Sequence, residues 1–432
     1  MRSVPDLFNA WQLVSNCTMQ AYSVFSLARH ALSSHRRWTR AWRNAEPAAH
    51  YDVVIVGAGG HGLATAYYLK KHYGIERVAV LERGYLGGGN SGRNTQVCRS
   101  NYFYPESAAF YEHSLCLYEN LGRALDFNIM LSQRGNLELS HSQEELEMNR
   151  RWANAMSMNG IDSEMLDREG VRKLEPALNL DCRYPVCGGF VQHRAGIARH
   201  DAVVWGYARA ASAAGVDIIE NCEVRGMSCD DSRIRAVSTN RGSIGAERFV
   251  LCVAGHSSDL AAMAGLKLPV ESIALQALVT EPVKPMLETV IGSLVIHAYV
   301  SQSDRGEIVI GGGADPFNSY AQRGMFSTAR DNAEAVIELI PTLSRLRMMR
   351  QWAGTCDISP DSSPIAGKTP VENLYLSTGW GTGGFKAIPA GGDTLAYTVA
   401  NDSTHELLNP FSLDRFTSGR LVDEGAAAGV AH

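Results

Sequence analysis

Glycines at fixed spacing, followed by one carboxylate, are the residues of this 432-residue chain that most clearly indicate chemistry. The run Gly57-Ala-Gly59-Gly60-His61-Gly62 opens a helix-compatible segment, and Glu82 lies twenty positions after Gly62. Glycines allow a tight turn and a close approach to a pyrophosphate, and the helix N-terminus offers N–H groups and a positive dipole. The later carboxylate can accept hydrogen bonds from ribose hydroxyls. The pattern predicts a dinucleotide site, with a glycine-rich turn in an ordinary βαβ unit as the alternative.

Two further glycine-rich loops belong to the same interpretation. The first follows Glu82 and contains Asn90, Asn94 and Thr95, which are candidate hydrogen-bonding residues. Such a loop is too rich in glycine for a helix or a central strand, and in two-dinucleotide-binding flavoproteins it wraps the pyrophosphate and the flavin ring. The second loop carries Gly381, Gly383 and Gly384 after a late strand, where backbone N–H groups would lie beneath a flavin ring.

Short apolar strands must hold these loops in place. Tyr51–Val56 and 78–81 are rich in β-branched residues, and Phe249 begins another parallel strand. The segment from Gly215 returns to the same sheet and ends at Val224, whose backbone could meet an adenine edge.

A second sheet is predicted from 275–280, 297–302 and 307–310, which form an antiparallel pattern suited to cover a substrate pocket. Residues 106–180 are mainly helical in pattern. The fold class is therefore α/β, with a Rossmann-like domain for a flavin dinucleotide (FAD) interleaved with an α+β substrate domain built on an antiparallel sheet. The predicted division is an N-terminal arm (1–50), an FAD-binding domain (51–110, 185–262 and 352–432) and a substrate domain (111–184 and 263–351).

Composition excludes several classes of protein. Hydrophobic residues make up 45% and charged residues 20%, as in an ordinary soluble globular protein. The net charge of −5 gives no reason to expect a nucleic-acid partner, and no apolar run has the length of a membrane span. Nine cysteines include no CxxC pair, so we expect reduced thiols and neither a metal site nor disulfides.

The N-terminal segment is basic, since no acidic residue occurs between Asp6 and Glu46. It fits either an organelle transit peptide or a basic arm that docks on a partner subunit. A secretory signal is not expected, because there is no long apolar stretch and no small-residue cleavage site. Met19 offers a second start, which would make 1–18 a translation artefact. The arginines and tryptophans of the segment are Arg29, Arg36, Arg37, Arg40, Arg43, Trp38 and Trp42.

A cluster of arginines, Arg345, Arg347 and Arg350, could bind a phosphate. The alternative interpretation is the solvated face of a helix.

Longer strings resemble a known family. VVIVGAGGHGLATAYYL, the late GWGTGGFKAIPAGG and the antiparallel sheet between them resemble the D-amino-acid-oxidase family of FAD-dependent oxidoreductases. Within that family, RNTQVCRSNY, GIARHDAVVWGYARAA and FSLDRFTSGRLVDEGAAAGVAH are similar to the β subunits of heterotetrameric sarcosine oxidases. The resemblance runs from about Met19 to the last residue.

This resemblance implies a bacterial, cytoplasmic complex in which the β subunit assembles with α, γ and δ subunits. The β subunit would bind FAD non-covalently and demethylate sarcosine to glycine and formaldehyde, or to 5,10-methylenetetrahydrofolate when tetrahydrofolate is present. Electrons would pass from FAD to a covalent FMN and then to O2, which forms hydrogen peroxide, and NAD would lie in the α subunit alone. Two alternatives stay open: an oxidase or dehydrogenase for dimethylglycine or another secondary amine, and a flavin-carrying structural subunit.

The resemblance also implies residue roles at a second flavin. His200 matches the histidine bonded to FMN, although by itself it would be interpreted as an N-cap neighbour or a core histidine. Arg199 is expected to contact the same FMN, and Arg347 and Arg350 are candidates for its phosphate. His193 is a nearby histidine with no expected equivalent in the family.

For the substrate, Arg99 matches the arginine that binds the carboxylate, and Lys386 matches the lysine of the late GGFK loop. Both are expected to bind sarcosine, with Lys386 alternatively beside the flavin ring, where it would favour the reduced anion. Tyr299 is expected to close the pocket. Cys356 is interpreted as a buried thiol and not as a covalent flavin attachment. No general base stands out, and hydride transfer from a deprotonated amine to a flavin needs none.

Overall fold

The computed structural model describes residues 24–34, 36, 40–230 and 232–422. The chain divides into two compact units, 1–41 and 42–432. In the first unit, Val24–Leu32 is a helix that exposes Val24, Phe25 and Leu32 to solvent. Met19 and Trp38 lie outside the described residues.

The second unit alternates helices with strands. With the N-terminal helix counted first, the helices are α1 Val24–Leu32, α2 Gly60–Tyr73, α3 Pro105–Ala124, α4 Gln143–Met158, α5 Arg168–Leu174, α6 His200–Ala213, α7 Ser257–Met263, α8 Phe326–Leu339, α9 Ile388–Asn401 and α10 Arg415–Ser418. The strands are β1 His50–Val56, β2 Val78–Leu81, β3 Val97–Cys98, β4 Asn136–Ser140, β5 Glu164–Asp167, β6 Gly188–Gln192, β7 Gly196–Ile197, β8 Asp217–Ile219, β9 Val224–Asp230, β10 Arg233–Thr239, β11 Gly242–Leu251, β12 Glu271–Pro282, β13 Val290–Ser293, β14 Ala298–Gln302, β15 Glu307–Asn318, β16 Met348–Ile358, β17 Ile365–Lys368 and β18 Leu374–Thr378.

The first sheet has the strand order β17-β18-β11-β1-β2-β8, and the hairpin β9–β10 joins it through β11. Strand β1 runs parallel to both β2 and β11. Its alternate side chains enter different cores: Val53 and Ile55 pack with α2, α6 and α9, whereas Val54 and Val56 pack on the opposite face. Burial on both faces explains why β1 is a nearly continuous apolar run.

The second sheet has the order β16-β12-β15-β14-β13-β4-β6-β5. Its pairs are antiparallel except for β13 and β4. The predicted fold class is thereby confirmed. The pairing differs from the predicted domain division at two points, since β6 and all of β16 belong to the second sheet. Pairing joins residues far apart in the chain, so apolar runs alone did not reveal which sheet each strand enters.

Helices α2 and α9 approach closely beneath the first sheet. A Cβ at Gly392 would lie 2.4 Å from Cβ of Ala64, so only glycine permits this spacing. The contact places the start of α2 beside the loop that precedes α9, and the functional cavity lies at that point.

The arginine segment is not a helix face, and that alternative interpretation is wrong. Pro341–Arg345 is a short 3-10 helix that ends at the first of the three arginines, and Arg350 lies on β16, the edge strand of the second sheet. Arg345, Arg347 and Arg350 are all exposed. Across the described ranges, no helix has the length and apolar character needed to cross a membrane.

Candidate active site

A cavity of about 810 Å³ lies between the two sheets. Its floor is formed by the ends of β1 and β2 and by the start of α2, and its roof includes residues of β4, β12, β13 and β14. At its nucleotide end the cavity is lined by six of the predicted loop and strand positions: Gly57, Gly59, Gly60, His61, Glu82 and Val224.

The glycine run after β1 has the geometry that the dinucleotide hypothesis requires. Gly57 has φ +105°, and a Cβ there would lie 2.3 Å from the carbonyl oxygen of Cys252. A Cβ at Gly62 would lie 2.0 Å from the carbonyl oxygen of Gly57. Any larger residue at this position would therefore prevent the helix from packing against the turn. The carboxylate of Glu82 accepts hydrogen bonds from the N–H groups of Ala58 (3.0 Å) and Gly84 (2.9 Å), which fixes it over the loop.

His61 joins the first glycine loop to the last one. Its Nε2 lies 2.8 Å from the carbonyl oxygen of Gly384, and its ring stacks on Trp380 with centroids 4.5 Å apart. Burial lowers the pKa of His61 to about 4, so the ring is neutral at pH 7 and Nε2 can donate to this carbonyl oxygen. The ring therefore positions the loop that contains Gly381, Gly383 and Gly384.

The loop after Glu82 is held by its own polar side chains. Asn90 Nδ2 donates to the carbonyl oxygen of Thr355 (2.6 Å), Asn94 Nδ2 donates to that of Ser91 (2.6 Å), and Thr95 Oγ1 lies 2.9 Å from the hydroxyl of Tyr299. Ser91 was not among the predicted residues, yet its hydroxyl accepts the N–H of Gly60 at 2.9 Å. The sequence signal for Ser91 was its place in a glycine-rich loop that is predicted to face the phosphate-binding turn.

Arg99 and Lys386 line the same cavity. Lys386 is buried, and its Nζ donates to the carbonyl oxygen of Thr382 at 3.1 Å. Burial lowers the pKa of Lys386 well below its ordinary value, the charge of Arg99 lowers it further, and Cys98 and Glu138 act in the opposite direction. Arg99 Nη1 donates to Oδ1 of Asn101 at 2.5 Å. The structure thus brings together two basic side chains that are 287 positions apart.

Tyr299 and Cys356 also line the cavity. Burial raises the pKa of each side chain to about 12, so the phenol and the thiol are neutral at pH 7. Asp357 was missed in the sequence. Its carboxylate accepts the hydroxyl of Thr378 (2.9 Å) and the N–H of Gly379 (2.6 Å), and burial raises its pKa to about 6.

His200 does not line this cavity. It is the first residue of α6, and it is preceded by Arg199, whose Nε lies 2.7 Å from Oδ1 of Asp201. Burial lowers the pKa of His200, and within the described part of the chain its buried Nδ1 has no hydrogen-bond partner. Arg347 and Arg350 are likewise outside the cavity lining.

The residues present fit a flavin dinucleotide. A glycine turn at a helix N-terminus suits a pyrophosphate, Glu82 lies at the end of β2, and the positions closed to a Cβ at Gly57 and Gly62 are those that the motif needs. The late glycine loop lies at the other end of the same cavity, beside Lys386.

This combination of a Rossmann-type sheet and a covering antiparallel sheet defines a class of flavin enzyme. Residues 52–398 match the family model described as FAD dependent oxidoreductase. The chain belongs to that family, and its cofactor is therefore of the FAD class.

Within the family, the chain is similar to sarcosine oxidase β subunits. It is 50% identical over 415 residues to sarcosine oxidase subunit beta of Rhodobacter capsulatus, which covers 96% of this chain and 100% of that protein. It is 51% identical over 393 residues to the subunit of the same name from an Arthrobacter species, with coverage of 90% and 97%.

Solved structures share the fold at lower identity. L-proline dehydrogenase from P. horikoshii superposes with a TM-score of 0.82 at 24% identity and covers 87% of this chain and 100% of its own. Glycine oxidase from Geobacillus kaustophilus has a TM-score of 0.78 at 22% identity, with coverage of 85% and 99%. These similarities concern the architecture alone.

Proposed function

We propose that this chain is the β subunit of a sarcosine oxidase and demethylates sarcosine to glycine and formaldehyde. The observation that carries the proposal is the placement of Arg99 and Lys386 in one cavity with all three glycine-rich loops. The identity of about half the residues with sarcosine oxidase β subunits supports the choice of sarcosine within the family.

The chain's own residues have clear tasks in this reaction. Arg99 offers a planar pair of donors to the substrate carboxylate, and protonated Lys386 adds a point charge. Because burial and Arg99 disfavour the charged form of Lys386, an arriving carboxylate favours its protonation. The roof residue Tyr299 limits access of water. Bound FAD supplies the acceptor for the hydride and its two electrons.

A second flavin, FMN, is proposed to be covalently attached to His200. The support is an imidazole that burial keeps neutral, with Nδ1 buried and unpartnered among the described residues, beside the cationic Arg199. A neutral imidazole nitrogen is a competent nucleophile. Arg350 lies on the edge strand β16, Arg347 directly precedes that strand, and both side chains are exposed. They are proposed as ligands of the FMN phosphate.

The proposed complex contains α, γ and δ subunits, with NAD in the α subunit. O2 would be reduced at the FMN to hydrogen peroxide, and tetrahydrofolate would take up the one-carbon unit. A bacterial cytoplasm is the proposed location.

The experiment is purification of the chain co-expressed with its partner subunits, followed by acid denaturation. We expect FAD in the supernatant and one flavin retained on this chain, seen as a fluorescent band on a denaturing gel. His200→Ala should abolish the band, while FAD content and FAD reduction by sarcosine persist, because His200 lies outside the lining of the FAD cavity. His193→Ala, which changes an exposed histidine paired with Glu164, is the matched control and should keep the band.

A band that survives in His200→Ala would reject the attachment site. Absence of FAD reduction by sarcosine in the unaltered complex would reject the proposed function itself.

A further inference from the structure

A carboxylate that the reaction described above does not use, Glu138, lies in the wall of the cavity that contains Arg99 and Lys386. It is on β4, with a half-buried side chain, and its Oε1 accepts a hydrogen bond from Asn136 Nδ2 at 2.9 Å. Asn136 and Glu138 are two apart on one strand, so both side chains point to the same face of the sheet.

The neighbouring strand makes room for this carboxylate. Gly292 on β13 is paired with Glu138, and a Cβ at Gly292 would lie 2.3 Å from Oε2 of Glu138. Any larger residue would displace the carboxylate. The hydrogen bond from Asn136 goes to Oε1, whereas Oε2 is the oxygen that lies in the space left by Gly292.

Three other carboxylates of the cavity wall accept backbone N–H groups, and the remaining two, Glu223 and Asp259, lie beside Arg225 and His256. Glu82 binds the loop after β1, Glu145 accepts the N–H of His141 at 2.6 Å, and Asp357 binds the N–H of Gly379. Glu138, in contrast, accepts a hydrogen bond from the side-chain amide of Asn136. It also acts on the charge of Lys386 and favours the protonated form, which places its negative charge within electrostatic range of the carboxylate-binding pair.

The charge pattern of the wall matches an amino acid. A zwitterionic secondary amine carries one carboxylate and one ammonium, and the wall offers Arg99 and Lys386 to the first and Glu138 to the second. Oxidation of the C–N bond needs a lone pair on nitrogen, so the ammonium must first lose a proton.

We propose that Glu138 binds the ammonium group of the substrate and accepts one of its protons. The proton moves from the substrate nitrogen to a carboxylate oxygen of Glu138, which becomes neutral, and the N–H bonding pair stays on nitrogen as the lone pair. The inference rests on the proposed function, since it assumes an amino-acid substrate, and it assigns that substrate's amine to a specific residue.

The test measures binding and not turnover. Anaerobic calorimetry on the FAD-loaded complex compares methylthioacetate, which has a carboxylate and an uncharged thioether, with N,N-dimethylglycine, which has the same carboxylate and an ammonium that stays protonated at neutral pH. Glu138→Gln should weaken binding of the ammonium ligand about ten- to a hundred-fold, because a charged hydrogen bond is lost. It should change binding of the thioether by less than about twofold.

Glu145→Gln is the matched control, since it makes the same substitution in the same wall at a carboxylate that binds a backbone N–H. It should weaken neither ligand selectively. Equal weakening of both ligands in Glu138→Gln would mean that Glu138 acts on the carboxylate through Lys386, and unchanged binding of both would remove it from the site. Either result overturns the proposal.

A second readout is the rate of FAD reduction by sarcosine as a function of pH. In Glu138→Gln the rate of FAD reduction should reach the wild-type level at high pH, because the ammonium group then loses its proton to solvent and does not need Glu138 as the acceptor. A variant that stays slow at every pH would contradict the proton-accepting role. If the unaltered complex binds neither carboxylate ligand, the proposed function itself is rejected. That result is distinguishable from a failure of the Glu138 proposal, which concerns the variant alone.

Discussion

At the scale of single residues, the two basic side chains of the cavity, Arg99 and Lys386, are the basis of the substrate hypothesis. Arg99 follows β3, and Lys386 lies just before α9, yet both line one wall. We expect Arg99→Met and Lys386→Met each to weaken binding of sarcosine about ten- to a hundred-fold, because each removes a charged hydrogen bond. The measurement is the dependence of FAD reduction on sarcosine concentration under anaerobic conditions.

FAD content should be unchanged in both variants, since the glycine turn after β1 and Glu82, where the dinucleotide is expected, lie at the other end of the cavity from Lys386. Lys267→Met is the control, because Lys267 is exposed and outside the cavity lining. Wild-type concentration dependence in both cavity variants would exclude these residues from the substrate site.

Residue types revealed part of this site before the structure did. The glycine motif, Glu82, Arg99 and Lys386 stood out because their spacing or their surrounding strings are distinctive. Glu138, Ser91 and Asp357 did not, because a single polar residue in a strand or a loop has many ordinary explanations. Only the pairing of β4 with β13, which puts Gly292 opposite Glu138, shows that Glu138 has open space before it.

At the scale of elements, the start of α2 and the loop before α9 act as one unit through His61. The imidazole bonds to Gly384 and stacks on Trp380, which no local sequence pattern indicated. Strand and helix positions followed from apolar periodicity. Membership of β6 and β16 in the second sheet did not, because strand pairing is decided by contacts distant in the chain.

His61 should therefore make stability depend on pH. Its pKa falls from 6.5 in the unfolded chain to about 4 in the folded one, so the unfolded state binds the extra proton between these values. The contribution is complete above pH 6.5 and is lost as pH falls toward 4. Between about pH 5 and pH 7 the free energy of unfolding should rise by about 2 kcal/mol from this group, at about 1.36 kcal/mol per pKa unit.

His61→Gln keeps an N–H donor for Gly384 and removes the titration. Urea unfolding of the FAD-loaded wild type and variant at the two ends of this pH range measures the difference in the rise. Parallel pH dependences of the unfolding free energy for the two proteins would show that His61 does not cause the rise in stability with pH.

At the scale of the whole molecule, the residues that line the cavity run from Val56 to Ile388 and belong to the unit 42–432. The sequence indicated two interleaved domains and a separate N-terminal segment. It did not reveal that 42–45 belong with the nucleotide domain. Trp42 packs against its core, Arg43 N–H donates to Ser212 Oγ at 2.9 Å, and Asn44 forms a bridge with Ile218. Each contact is made by a single residue, and no repeating pattern in the sequence marks these residues, so the sequence alone did not reveal them.

The first 18 residues and the part of the N-terminal segment that contacts the nucleotide domain should differ in their effect on stability. A chain that starts at Met19 should keep FAD content and thermal stability, because the family resemblance begins near Met19 and the described lining of the cavity begins at Val56. A chain that starts at Pro47 also loses Trp42, Arg43 and Asn44. It should unfold several degrees lower, since loss of a partly buried aromatic contact and a backbone hydrogen bond costs about 1–3 kcal/mol. Thermal unfolding of both chains, assembled with their partner subunits, is the measurement. Failure of the Met19 chain to assemble would show that 1–18 are required, and equal unfolding temperatures for the two chains would show that 42–45 do not stabilise the nucleotide domain.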